Sequence, residues 1–409
     1  MMKNKIGKIV ILILLFTLFC SYPYVFNRFV GLPSSTVVWV ISFLIMTILL
    51  VALVSKKTTN RHISNDEPQK IPKEFIAVCV LQSIIWLFYA SYHGDSAYIT
   101  RIFFILYSFV AISALQKSIG VSAFIKTNNY IIQWQVILGV IAFFLIFIGI
   151  LGPVITFDNE DGREAYFYGL TCSNAVYGNV ARIAGFFDEP GALAAWGMYA
   201  LIFNKLFIGN KKVEYFLLFG LISTLSLAYF AQVALYILFF YRKNTKVIIP
   251  VTILLALIFV LIYKQGSDSE MYLRTFERVD MAINGKTNRD VMVDNAKYAF
   301  MQNPAFGIGA SNADKFDSLT DNPYETLATD GVIGTIFIYL PLIVALLVCK
   351  LNKRVLAAIV VLAVGYLQRP FHISPMHYLH IYCFLYLTIV YYAPRYRRST
   401  LRVNNNSDL

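Results

Sequence analysis

Apolar residues run along this chain in blocks of about 20, the helix length that crosses a hydrocarbon core. Clear blocks lie at 6–26, 36–54, 74–92, 98–115, 130–151, 190–209, 247–263, 331–349, 355–368 and 377–393. Each predicts a helical span. Residues 213–241 form one apolar run, too long for a single upright helix and short for two. Lys211 and Lys212 precede it, and Arg242, Lys243 and Lys246 follow it. Basic clusters flanking a span stay on the cytoplasmic side, and a single crossing would strand one of them outside. Two short crossings, turning near Ser223–Ser226, keep both inside. The pattern therefore predicts an all-α polytopic membrane protein of about twelve transmembrane helices. It is one integral domain, 1–409, with both termini cytoplasmic. Two sizeable external loops remain, 152–189 and 264–330, and long loops carry function.

Composition agrees. The 409 residues are 58% hydrophobic and only 14% charged, with a mean hydropathy of +0.63. A single soluble core could not hide that much apolar surface, whereas lipid can solvate it. The net charge of +12 would point to nucleic acid in a soluble protein. Here the basic residues crowd the predicted cytoplasmic connections, so they mark a membrane face. The tail 394–409, with Arg395, Arg397, Arg398 and Arg402, reads as an orientation anchor.

Met1 to Phe26 has the basic start and apolar run of a signal peptide. No small-residue cleavage site follows, so it reads as a retained first span. Of the cysteines, Cys20, Cys79, Cys349 and Cys383 lie in apolar runs and Cys172 in the first loop. Their spacing fits neither a disulfide frame nor a thiolate metal site. The chain has no Walker loop, no GxSxG elbow and no HExxH. The spans hold few ionisable residues and no inverted repeat, which argues against a proton-coupled carrier.

The first loop ends in Arg182-Ile-Ala-Gly185-Phe-Phe-Asp188-Glu189-Pro190. Pro190 suits the first helical turn, so a span begins there with its positive end outward. Asp188 and Glu189 are read either as caps or as working acids. The second loop carries Arg274 and Arg278 one turn apart, around Glu277. A helix is predicted over Asn288–Met301, with Arg289 at its start and Val293, Ala296 and Phe300 on its apolar face. Asn303-Pro304 ends it, and Gly307-Ile-Gly309 makes a tight turn. Asp321-Asn322-Pro323-Tyr324 follows, and Asp330 is placed as the N-cap of the next span. His372, His377 and His380 gather near the external end of the last hairpin and read as interfacial, with a metal site the weaker alternative. Arg101 reads as a snorkelling cation or one facing a cavity.

Arg182 with Gly185-Phe-Phe-Asp-Glu189-Pro190 heads a span. Arg289 lies ahead of Pro304-Ala-Phe-Gly307-Ile-Gly309. Asn322-Pro-Tyr324 comes before Gly331-Val-Ile-Gly334. In order and spacing these motifs resemble the O-antigen polymerase (Wzy-type) and O-antigen ligase superfamily of bacterial envelope glycosyltransferases. The resemblance covers roughly 170–340 by motif and the remainder by topology.

The resemblance implies a GT-C-like enzyme of the bacterial cytoplasmic (inner) membrane, with its active site on the periplasmic side. Its substrate would be an oligosaccharide carried on undecaprenyl diphosphate, polymerised for lipopolysaccharide or a related polysaccharide. Arg182 and Arg289 would hold the diphosphate, and no metal or other cofactor is expected. Arg274, Arg278, Asn322 and Tyr324 are further candidates for substrate contact. Glu189 and Asp321 are candidate bases for the acceptor hydroxyl. Guanidinium groups suit this chemistry, because negative charge grows on the diphosphate as the anomeric bond breaks. Ligases often carry a histidine directly before the asparagine of the third motif. Asp321 stands there instead, which favours a polymerase over a ligase that transfers finished glycan to lipid A-core. A chain-length regulator is a natural partner. An envelope-lipid flippase is the alternative of another class.

Overall fold

The computed structural model describes residues 2–26, 35–55, 70–158, 164–177, 180–264, 272, 288–316, 319, 324–368 and 374–396. It is mostly helical, at 77%. The helices are α1 (Met2–Phe19), α2 (Ser35–Ser55), α3 (Lys73–His93), α4 (Ala97–Ser118), α5 (Val121–Phe147), α6 (Pro190–Phe203) and α7 (Lys211–Gly220). They continue with α8 (Leu227–Tyr241), α9 (Thr245–Lys264), α10 (Asn288–Gln302), α11 (Glu325–Ile338), α12 (Leu340–Val348), α13 (Lys353–Gln368) and α14 (Pro375–Tyr392).

Each apolar stretch read from the sequence is helical over most of its length. Among the described residues, six helical segments are long and apolar enough to cross a membrane. They are α2, α3, α4, α5, α6 with the turn that extends it to Ile208, and Glu325–Val348.

The outside of the bundle explains the composition. On α2, Val37, Ile41, Leu44, Ile48 and Val51 recur at helical spacing and are all exposed. A soluble surface does not tolerate such a stripe. The inside is built around α4 and α14. Helix α14 is buried almost all round, from Met376 to Val390, and α4 packs against α1, α2, α3 and α14. A helix that is apolar on every side belongs at the centre.

The apolar run at 213–241 divides as its flanking charges require. Helix α7 ends at Gly220, a tight turn covers Leu221–Thr224, and α8 starts at Leu227. Leu225 adopts a left-handed φ of 48° to close the turn. Lys211, Arg242 and Lys243 then line a common cavity, so the two ends of the run lie together.

One departure is β-structure in the first loop. Strands β1 (Ile155–Asp158), β2 (Glu164–Phe167) and β3 (Cys172–Ser173) form an antiparallel sheet, and β4 (Val176–Tyr177) pairs with β5 (Val180–Ala181). A loop of that length must satisfy its own backbone polar groups, and short ladders do so. The signal was present, since Asp161-Gly162 between alternating apolar residues is hairpin chemistry.

Candidate functional site

The segment from Arg182 to Pro190 is held from several sides. Gly185 has a φ of 62°, and a Cβ there would come within 2.7 Å of the Gln135 Oε1. That same oxygen accepts from the Phe186 amide at 3.1 Å, and the Gly185 amide donates to the Thr171 hydroxyl at 2.9 Å. Phe187 stacks on Tyr24 with ring centroids 4.1 Å apart. The Asp188 amide donates to the Pro23 carbonyl at 3.0 Å. The motif is thus clamped between α5, the sheet of the first loop and the chain after α1.

Pro190 occupies the first turn of α6, as expected. Glu189 is the N-cap residue by backbone, but its carboxylate makes no capping bond to the helix. It is only 4% exposed. Capping therefore does not account for this acid.

Arg182 lies over the tip of the α7–α8 hairpin. Its Nε donates to the Thr224 carbonyl at 2.9 Å, and the neighbouring Ile183 amide donates to the Ser223 carbonyl at 3.4 Å. Thr224 stands two residues before Ser226, the N-cap of α8. The guanidinium is therefore fixed beside the positive end of a helix. The carbonyl that it bonds closes the Leu221–Thr224 turn after α7 and offsets part of its charge, while the guanidinium and the start of α8 both favour an anion.

The second-loop motifs interlock through their backbones. The amides of Ile308 and Gly309 donate to the carbonyls of Ala328 and Thr329, each at 2.9 Å. The amides of Val332 and Ile333 donate back to the carbonyls of Pro304 and Ala305 at 2.9 and 3.1 Å. Glycine is required on both sides. Gly307 has a φ of 72° and would drive a Cβ into the Thr329 carbonyl. Gly331 has a φ of 64° and would place one 2.5 Å from the Ala305 backbone.

Gly331 also breaks α11, and Asp330 stands just before the break. Asp330, expected as the N-cap of the span, stands at the foot of the helix that resumes after Gly331, whose φ of 64° and ψ of −173° separate it from the turns that begin at Glu325. The Asp330 carboxylate goes instead to Arg101, in a two-pronged ion pair at 2.7 and 3.2 Å. Arg101 is 1% exposed and lies 4.7 Å from the ring centroids of both Trp86 and Tyr98. It neither snorkels nor faces a cavity, because a buried guanidinium is stable only with a partner.

Nearby, Asp95 accepts from the Ser311 hydroxyl at 2.6 Å and from the amides of Ser311 and Ala97 at 2.7 and 2.9 Å. Burial pushes its pKa up, but these bonds and Arg101 outweigh it and hold the carboxyl below its ordinary value.

Helix α10 forms where its spacing predicts. Ala296 and Ala299 bury its apolar face, and the helix packs against α11. Arg289 sits in its first turn. Tyr324 is half-buried, with the Lys297 ammonium 5.4 Å above its ring. Arg274, Arg278, Asp321 and Asn322 lie outside the described residues, as does His372.

His377 and His380 are buried rather than interfacial. The His380 ring nitrogens lie 2.8 Å from the Met376 carbonyl and 3.2 Å from the Asn128 amide. Among the described residues, no three His, Cys, Asp or Glu side chains converge as a metal site.

Sequence reasoning passed over Gln135 and Asp95 and did not pair Arg101 with Asp330. For Gln135 the available signal was a polar residue in the middle of an apolar span, which membrane helices rarely carry without a partner. No family model matches this chain, and no curated protein matches it significantly.

Proposed function

We propose that this protein is a membrane glycosyltransferase of the polymerase type. It takes a glycan from a polyprenyl diphosphate and joins it to the non-reducing end of another lipid-linked repeat unit. In this reading the bundle spans the membrane about twelve times, and the 152–189 and 264–330 loops share the extracytoplasmic side.

One observation carries the proposal: Arg182 is fixed over the tip of a helical hairpin, beside the N-terminal end of α8. A fixed guanidinium and a helix end together favour a group whose negative charge grows during reaction. The departing diphosphate is such a group. Glu189, buried at the head of α6, is the nearer in sequence of the two candidate bases and would accept the proton of the attacking hydroxyl. Arg289, at the start of α10, would bring a second guanidinium from the other loop.

The test is the glycan ladder of a null strain complemented with Arg182→Ala or Arg289→Ala. The expected result is membrane protein at normal abundance and glycan one repeat long. Normal ladders from both variants would refute the proposal. Loss of all glycan from the acceptor lipid, rather than a single repeat, would assign the ligase reaction instead. Lipid-linked glycan accumulating on the cytoplasmic face would assign a flippase.

A further inference from the structure

A strongly basic feature lies at the opposite end of the α7–α8 hairpin from Arg182. A cavity of about 620 Å³ opens there, lined by Lys205, Lys211, Arg242, Lys243, Arg354 and the single carboxylate of Glu214. Its size is in the range of small-ligand sites.

Glu214 does not neutralise this charge. Its carboxylate is buried and already engaged, accepting from Lys205 at 2.8 Å and from the Tyr236 and Tyr241 hydroxyls at 2.5 Å each. Lys211 stands off at 3.9 Å. Among the described residues, no ion pair within 4.0 Å reaches Arg242, Lys243 or Arg354. Three helices also begin at the rim: α7 at Lys211, α9 at Thr245 and α13 at Lys353. Their positive ends add to the field of the side chains. Orientation of spans alone needs basic residues near a membrane face, not five lining one cavity around a single acid whose Oε1 is already engaged.

The wall of the cavity continues into apolar surface. Phe239 lines it and is 43% exposed, and its neighbour Leu238 is 56% exposed on the same outer turn of α8. A ligand with an anionic head and apolar tails matches both surfaces.

We propose that this cavity binds the phosphate group of an anionic phospholipid, with the acyl chains laid against Leu238 and Phe239. Arg242 and Arg354 are the principal phosphate contacts, since guanidinium pairs with phosphate in two-pronged fashion. Lys205 and Glu214 set the floor of the site and hold Tyr241 in place.

The experiment uses the full-length protein in neutral detergent. Binding of short-chain phosphatidylglycerol is compared with phosphatidylcholine of the same acyl length, and with inorganic phosphate alone, by native mass spectrometry. The expected result is a preference of about tenfold for phosphatidylglycerol, of the order that one or two surface cations provide. Arg242→Gln with Arg354→Gln should abolish the preference, and the Arg→Lys pair at the same positions should restore part of it. These side chains are exposed, so the variants should fold. Lys117→Gln with Lys126→Gln removes equal charge away from the cavity and should leave the preference intact. Equal binding of the two lipids, or equal loss in the Lys117/Lys126 pair, would overturn the proposal. Binding of inorganic phosphate that the Arg→Gln pair abolishes, without lipid preference, would overturn the lipid and reassign the site to a soluble phosphate ligand.

Discussion

Arg101 of α4 and Asp330 of α11 meet in a buried two-pronged ion pair, with the guanidinium flanked by Trp86 and Tyr98. Tyr89 donates to the Asp330 carbonyl from α3 at 2.8 Å. The pair therefore ties three helices to the break in α11 where the second-loop motifs interlock.

Removing one partner leaves a buried charge uncompensated. Arg101→Ala or Asp330→Ala should each cost about 3–5 kcal/mol. The double variant Arg101→Met with Asp330→Leu should be less damaging than the worse single change, because no orphan charge remains. Denaturant unfolding in detergent measures all of these, and strictly additive losses would contradict the pairing.

The interlocked glycines make a second prediction. Gly307→Ala should destabilise by strain and by collision with the Thr329 carbonyl, roughly 2–4 kcal/mol in sum. Gly169 has a comparable φ of 79° but open space around its Cβ direction. Gly169→Ala should therefore lose only the strain part, on the order of 1–2 kcal/mol. Equal losses at the two positions would show that close approach does not matter.

Acid should loosen the junction between α3 and α4. The Asp95 carboxyl titrates below its ordinary value, so its bonds to Ser311 and Ala97 contribute stability above the unfolded carboxylate pKa, about 4. That contribution disappears as pH falls through the lower folded value. Asp95→Asn should lower the melting temperature at neutral pH and flatten its decline in acid. An unchanged acid slope would mean that another carboxylate governs it.

Arg182→Lys should fail to replace arginine. A lysine loses the Nε bond to Thr224 and the planar fork, so the proposed glycosyl transfer should slow by about a hundredfold or more, as for loss of a preorganised donor. Stability should change by no more than about 1 kcal/mol, the net value of one hydrogen bond. Chain polymerisation in vesicles and unfolding in detergent separate the two effects.

Legibility from sequence followed the range of each interaction. The helices were readable because lipid sets their length locally. The turn at Leu221–Ser226 was readable because the charges that dictate it lie beside the run. Helix α10 was readable from its own spacing. By contrast, Arg101 and Asp330 lie far apart in the chain, and nothing local to either reveals the other. The same holds for His380 with Asn128 and for Phe186 with Gln135. The Gly-Phe-Phe segment was recognisable as a motif, but the clamp that shapes it comes from α5 and from the chain after α1. The strands of the first loop were missed because the strong helical signal elsewhere masked a short alternation.

Ile308 and Gly309 are bonded to Ala328 and Thr329, so both ends of the intervening stretch are anchored at one point of the bundle. Just past that anchor, the Ser311 amide and hydroxyl donate to Asp95 beside the start of α4. The tight turn at Gly307–Gly309 is thereby a hub: a change of backbone there reaches the break in α11 and the α3–α4 junction together.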